Sequence, residues 1–379
     1  MFENLTTYDP YDVWAMPLFG KLKMDYNNGK LTSRPLLVMC YLADFLFPVL
    51  TRKALGCPRT ISPHVLALHC LSKNGQFTSN ECEDVLHLFE QMNVLERGCA
   101  WGLPFRWYSK HAVYSDKIPY ITHTPYVMEA LLQLTCDDTV SEKAEGMFLK
   151  TWSFMESLRV MFSDGQRLAL SYSSEEEVRI VNNAQTYAAY AYAMHYAYGD
   201  PDHASRAEDR CRQLAAWVLS QQRDDGSWLY YADSKSGNFL DCFHSCFIIK
   251  NLSKAAELVP SMKTVLGDSL ERAINFLDDY FLDKDKLLCR RFVNKVRRDL
   301  YRWDIYDQAE YLGILVDQGR VKEAVLFRES VSCKFSDGKN WWCRIDPLGR
   351  RWGKNFLRWG IMPFQYQSKR LDNLCKDVR

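Results

Sequence analysis

Apolar residues recur at i, i+3, i+4 and i+7 over eight stretches of the chain: 126–134, 143–162, 184–198, 203–222, 242–258, 264–281, 305–318 and 321–331. Each stretch predicts a helix with one side in a core. Turn segments rich in Gly, Asp and aromatic residues punctuate them: Gly98-Cys-Ala-Trp-Gly102, Ser163-Asp-Gly165, Asp224-Asp-Gly-Ser-Trp228, Asp283-Lys-Asp-Lys-Leu-Leu-Cys289 and Ser336-Asp-Gly-Lys-Asn-Trp341. These recur every 50–65 residues or so, and two helices per interval make a helical hairpin. Strand alternation is confined to short pieces such as 168–172, which fit loops or small hairpins.

Hairpins that cannot bury their apolar faces alone must stack. A chain of 379 residues holds about six of them, and six closing on themselves give the predicted architecture, an all-α (α/α)6 toroid. An open solenoid is the alternative. One toroid domain is expected over 1–379, with 1–56 as an N-terminal extension packing on it. The longest apolar run, 35–50, is shorter than the ~20 residues of a spanning helix and carries Asp44 and Pro48. It reads as a buried helix, and the flanking Arg34, Arg52 and Lys53 allow at most a peripheral membrane contact.

Composition narrows the function classes. Hydrophobic residues at 47% and charged residues at 25% describe a globular chain. Lys plus Arg (48) nearly cancels Asp plus Glu (47), so no global field draws nucleic acid. Thirteen cysteines without a CxxC pair read as reduced thiols. The start, Met1-Phe-Glu-Asn-Leu-Thr-Thr, lacks the basic and apolar regions of a signal peptide, and the expected location is the cytoplasm. No nucleotide-binding, zincin or nucleophile-elbow motif stands out, so no cofactor is expected. Cys242, His244 and Cys246 make a poor zinc set, because on a helix the histidine points away from the face the cysteines share; no metal is expected.

Helices that follow the long loops carry polar residues in their first turns: Thr122, His123 and Thr124; Asn182 and Asn183; Asp241 and His244; Asp304; and Arg358. In a toroid these would converge on one mouth, although Asn, Asp and Thr also serve as N-caps. Asp241 and His244 lie three apart, where a carboxylate can orient an imidazole as an acid/base unit. Asp304 sits between Arg302-Trp303 and Ile305-Tyr306, and Asp241 with Asp304 forms a candidate carboxylate pair. Loop aromatics beside Asp, Arg and Asn suit sugar rings. Arg106, Arg344, Arg350, Arg351 and Arg358 would add anion recognition, with surface placement the simpler reading for the first four.

Taken in order, Cys99-Ala-Trp-Gly-Leu-Pro-Phe-Arg-Trp-Tyr-Ser109, Ser171-Tyr172, Val181-Asn-Asn-Ala184, Gln222-Arg-Asp-Asp-Gly-Ser-Trp228, Phe239-Leu-Asp-Cys-Phe-His244, Asp304-Ile305 and Leu357-Arg-Trp-Gly360 resemble the VpsJ-like polysaccharide biosynthesis proteins, a toroid family of bacterial exopolysaccharide and lipopolysaccharide clusters. The resemblance implies one cleft lined by Trp101, Phe105, Trp107, Asn183, Asp225, Trp228, Asp241, His244, Asp304, Arg358 and Trp359. Arg106 and Tyr306 depart from the family pattern, which has an acidic residue and a histidine there. The expected function is glycan processing of hydrolase, lyase or C5-epimerase type on an oligo- or polysaccharide, with a uronate as favoured ligand and glycosyltransferases as candidate partners. In the elimination variant His244 takes the C5 proton while Arg358 neutralises the uronate. The alternatives are a non-catalytic glycan-binding or scaffold subunit and an isoprenoid cyclase or prenyltransferase-like toroid.

Overall fold

The computed structural model describes residues 2–108, 113–175, 178–293 and 300–377; Ser109, the end of the first family-like motif, lies outside them. The chain enters through four short helices, α1 (Asp12–Ala15), α2 (Pro17–Asn27), α3 (Arg34–Leu46) and α4 (Pro48–Ala54). Inner and outer helices then alternate. The first half holds inner α5 (Pro63–Lys73), outer α6 (Ser79–Met92), inner α7 (Thr124–Leu134), outer α8 (Ser141–Leu149) with α9 (Thr151–Ser157), and inner α10 (Asn182–Tyr198). The second half holds outer α11 (Ala204–Ser220), inner α12 (Cys242–Leu258), outer α13 (Lys263–Phe276), inner α14 (Ile305–Asp317), outer α15 (Val321–Phe335) and inner α16 (Met362–Asp377). The inner helices pack in chain order and α16 returns to α5, so the ring closes as an (α/α)6 toroid.

Side-chain chemistry sorts the two layers. Residues 182–195 of α10 and 305–316 of α14 are buried on every side, whereas α11 buries one stripe through Ala207, Cys211, Leu214 and Val218. A helix surrounded by others is apolar all round, and one facing water is amphipathic. Two side-chain devices repeat around the ring. The indoles of Trp101 and Trp228 each donate at 2.8 Å to an outer-helix carbonyl, Phe89 and Val218 respectively. Gln185 and Gln308, each in the first turn of an inner helix, bond both backbone groups of one residue in the short hairpin before it, Leu170 and Cys289.

Several element ends differ from the periodicity. The 143–162 stretch breaks at Lys150 and stops at Ser157; Val160–Ser163 then pairs antiparallel with Leu168–Leu170 as a small hairpin. The last turn of 264–281 widens into a π-helix over Leu277–Phe281. The expected buried helix over 35–50 is corrected. Pro48 lacks an N–H and forces the preceding residue out of the helical region, so Phe47 sits at φ −136° and ψ 58°. The two pieces meet at 119°, and Leu36, Met39, Leu42, Leu46, Phe47 and Leu50 are exposed. Among the described residues no single helix is long and apolar enough to cross a membrane.

Residues 2–56 build a small core of their own from Val13, Trp14, Phe19, Leu22, Leu37 and Cys40. Its polar centre is Arg52, wholly buried, which donates to Asp12 (2.7 Å), Asp44 (2.5 Å) and the carbonyls of Asp9 and Pro48. Burial pushes the Asp12 carboxyl up to about 7 against the pull of Arg52. Replacing Arg52 by Met would leave Asp12 and Asp44 buried without their cation, a loss of about 3–5 kcal/mol for a broken buried pair. The expected outcome is a lower thermal midpoint and new protease cuts within 10–56; a digestion pattern identical to wild type would contradict this role.

Candidate active site at the mouth of the ring

Backbone bridges lace together the segments that precede successive inner helices: Thr7 with Thr60, Tyr120 with Ser173, Val181 with Tyr231, Asp241 with Phe292, and Trp303 with Ile345. The inner helices therefore all begin at one mouth. Their first turns bring together His64 (α5), His123 (before α7), Asn182 and Asn183 (α10), Asp241 and His244 (α12), and Asp304, Tyr306 and Asp307 (α14). Arg358, which precedes α16, completes the set.

Asp241 caps α12 by accepting from the His244 amide, and the same carboxylate accepts from His244 Nδ1 at 2.8 Å. Helix start and imidazole orientation thus share one group. With Nδ1–H on the carboxylate, Nε2 is the nitrogen left to accept a proton. The ring lies against Phe243 (3.9 Å between centroids), Tyr230 (4.5 Å) and Phe239 (5.9 Å), with a fifth of its side chain open.

Asp304 is placed differently. It caps α14 through the Tyr306 amide (2.9 Å) and accepts from Trp359 Nε1 (2.9 Å) and Arg344 Nε (2.8 Å), with Arg291 Nη2 at 3.0 Å. Burial opposes its charge, but Arg291 and Arg344 prevail and hold the carboxyl below the usual carboxylate range. Asp307, one helical turn on, accepts from the Phe243 amide (3.2 Å) and Arg291 Nε (3.1 Å). There burial prevails, aided by the negative charges of Asp304 and Asp241, and the carboxyl rises well above its ordinary range. Arg344, expected at the surface, is instead part of this buried network.

Arg358 forms a two-pronged ion pair with Asp9 of the N-terminal segment, its Nη2 at 2.8 Å from Oδ1. The turn that holds it needs a glycine. Gly360 has φ +81°, and a Cβ there would lie 2.5 Å from the Tyr306 nitrogen. This close approach sets Trp359 against Tyr306 (5.2 Å) and Tyr11 (5.1 Å), forming an aromatic wall beside Asp304.

The remaining residues expected in the cleft divide. Trp101 and Trp228 are core side chains, their rings buried between the helical layers and their indoles bonded to outer-helix carbonyls, so neither offers a face to a sugar. Asp225 is exposed at the rim, where it accepts from the Ser227 amide and hydroxyl as a turn former. Phe105 packs with Leu103, Ile118 and Tyr120, while Trp107 stacks on Tyr114 at 5.2 Å. Asn183 is buried, and its Oδ1 has no hydrogen-bond partner among the described residues.

Three mouth and barrel groups escaped the periodicity reading. His64 is buried with Nε2 unpartnered among the described residues, 4.2 Å from the Tyr126 ring. Deeper in, Lys250 donates to Glu310 (2.8 Å) and Tyr126 (2.9 Å), and the Tyr126 and Tyr187 hydroxyls meet at 2.8 Å. A lysine inside Phe247-Ile-Ile-Lys250 and a glutamate inside the apolar α14 were the available signals. A cavity of about 530 Å³ lies at the opposite end of the ring, beside Lys254 and Glu129.

Two outcomes follow. Burial, then the charge of Arg358, pushes His123 down to about 3; His64 is also held well below its ordinary value, and burial lowers His195 to about 4. Such histidines stay neutral in the fold but protonate on unfolding, so stability present at pH 7 is lost as pH falls below about 6.5. The thermal midpoint should drop between pH 7 and pH 5, and His195→Gln should flatten that slope by about 2 kcal/mol at pH 5. Separately, Asp304→Asn would strip Arg344 of its countercharge and leave Arg291 with Asp307 alone, costing about 3–5 kcal/mol. A loss within the 0.5–2 kcal/mol or so of an ordinary cap would refute that account.

No family model and no curated protein matches this chain. Solved structures do. The chain is similar to the cellobiose 2-epimerase of Bacillus thermoamylovorans (TM-score 0.60, 11% identity, covering 83% of this chain and 88% of that one). It is similar to a D-mannose isomerase (TM-score 0.61, 12% identity, 83% and 86%) and to the GH76 α-mannanase of Bacteroides thetaiotaomicron (TM-score 0.57, 12% identity, 83% and 86%). At such identities the likeness is one of fold, and it is the (α/α)6 toroid described above.

Proposed function

We propose that the chain is a sugar-processing enzyme that moves a proton on a saccharide bound at the mouth, with His244 as the base. One observation carries this reading: a partly open imidazole, fixed through Nδ1 by Asp241 and flanked by Tyr230, Phe239 and Phe243, in the same mouth as Tyr306 and Arg358. Neutral Nε2 would take a proton from carbon next to a carbonyl or carboxylate, and the imidazolium formed would be stabilised by Asp241. The aromatic rings beside it suit the C–H face of a sugar. Epimerase and isomerase are among the names borne by the similar structures, which supports proton transfer as the reaction type.

Hydrolysis by Asp241 and Asp304 as a carboxylate pair has less support. Asp304 is held ionised by two arginines and has no proton to give, while Asp241 is committed to His244. Arg358 is already neutralised by Asp9, which favours a neutral sugar over the expected uronate unless Asp9 withdraws. A setting in exopolysaccharide or lipopolysaccharide synthesis, with glycosyltransferases as partners, belongs to the same proposal and rests on the VpsJ-like resemblance alone. One observation favours the alternative of a glycan-binding subunit without turnover: the N-terminal segment reaches into the mouth through Asp9 and Tyr11.

Incubation in D2O with cellobiose, mannose or a uronic-acid oligosaccharide, followed by proton NMR, should show loss of one sugar C–H signal. His244→Gln should abolish exchange with the fold retained, and Asp241→Asn should slow it by roughly 10²–10⁴-fold. Saturable tryptophan quenching without exchange would instead establish the binding subunit, and neither response to any of the sugars would sink both readings.

A further inference from the structure

The outer face of residues 17–54 is unusually apolar. Of the 21 large hydrophobic side chains exposed among the described residues, 12 fall between Leu18 and Leu50. They include Leu36, Met39 and Leu42 along α3, and Leu46, Phe47 and Leu50 around the 119° elbow between α3 and α4. Scattered apolar side chains are ordinary on a protein surface; such a concentration marks an interaction site.

The inner side of the same segment is anchored. Trp352 Nε1 donates to the Asp44 carbonyl at 2.9 Å, the Arg350 guanidinium lies 4.4 Å from the Phe45 ring, and Phe45 packs on Tyr301 at 5.7 Å. The apolar face is therefore turned outward by contacts that hold its back to the toroid. Charge decides what covers it. Exposed Lys21, Lys30, Arg34 and Lys53 flank the patch, whereas the acidic residues of the segment are Asp25, paired with Lys30, and Asp44, buried on Arg52.

We propose that this face seats the protein on an anionic lipid bilayer, with the α3–α4 elbow entering the headgroup and upper acyl region and Lys21, Arg34 and Lys53 meeting lipid phosphates. Leu, Met and Phe side chains on a bent helical pair, accompanied by exposed Lys and Arg, match the interfacial mode of membrane attachment; the helices are too short to span. A second copy of the chain would place the same cations against one another, which disfavours a self-interface. The proposal does not depend on the sugar-processing reading.

The test uses the full chain with vesicles of phosphatidylcholine alone and of phosphatidylcholine mixed with phosphatidylglycerol. Wild type should co-sediment with the anionic vesicles, weaken as salt is raised, and remain largely free of the neutral ones. Phe47→Asp with Met39→Asp, both at exposed positions, should lose binding while keeping the wild-type circular dichroism and thermal midpoint. Lys21→Gln, Arg34→Gln and Lys53→Gln together should weaken it by about tenfold or more. Equal partition of wild type and both variants, or no sedimentation of wild type, would overturn the proposal. A concentration-dependent dimer in light scattering that the double Asp variant abolishes, without vesicle binding, would assign the face to a second copy instead.

Discussion

An inner helix of this ring starts where there is little water. The first four N–H groups of such a helix have no partner within it, so side chains at the mouth must supply acceptors. Asp241 and Asp304 do so for α12 and α14, and Gln185 and Gln308 tie the preceding hairpins to their helices. A buried carboxylate in turn demands its own partners. Asp241 takes His244; Asp304 takes Trp359, Arg344 and Arg291, and Arg291 brings in Asp307. The chemistry of the mouth thus grows out of the requirement to end helices inside a protein.

The same caps separate the two carboxylates in character. Asp304, saturated by donors and cations, behaves as a structural anion whose loss would strand Arg344 and leave Arg291 to Asp307 alone. Asp241 spends its oxygens on an amide and an imidazole that remains partly open, and so transmits its charge to a group that can exchange protons. Two side chains of one type, at equivalent places in the repeat, have been put to different uses by what stands beside them.

The N-terminal segment links the mouth to the outside. Asp9 neutralises Arg358, Tyr11 leans on Trp359, and at Asp12 and Val13 the chain enters the small core organised by Arg52. Displacing Asp9 would disturb a network that also holds α1 and α4, because the Asp9 carbonyl accepts from Arg52 while its carboxylate holds Arg358. One residue therefore ties the mouth to the core of the segment.

Periodicity along the chain was enough to determine stacked helical hairpins, because inner and outer helices must bury their faces against neighbours at a fixed repeat; it left the closed ring and the open solenoid as alternatives, and the packing of α16 on α5 decided between them. It also located the first-turn residues, including Asp241 with His244, since a spacing of three on a helix is a contact in any fold. Tertiary structure decided the rest. Trp101 and Trp228 carry the same turn signal as a cleft aromatic, yet their indoles close off outer helices, a bond to a carbonyl 10 or 12 residues back that no spacing rule distinguishes from exposure. The ion pair of Arg344 with Asp304, the pairing of Asp9 with Arg358 across 349 residues, and the outward apolar face of α3 depend on which surfaces the closed ring brings together. Local sequence encodes which groups need partners; only closure of the chain determines which partners they find.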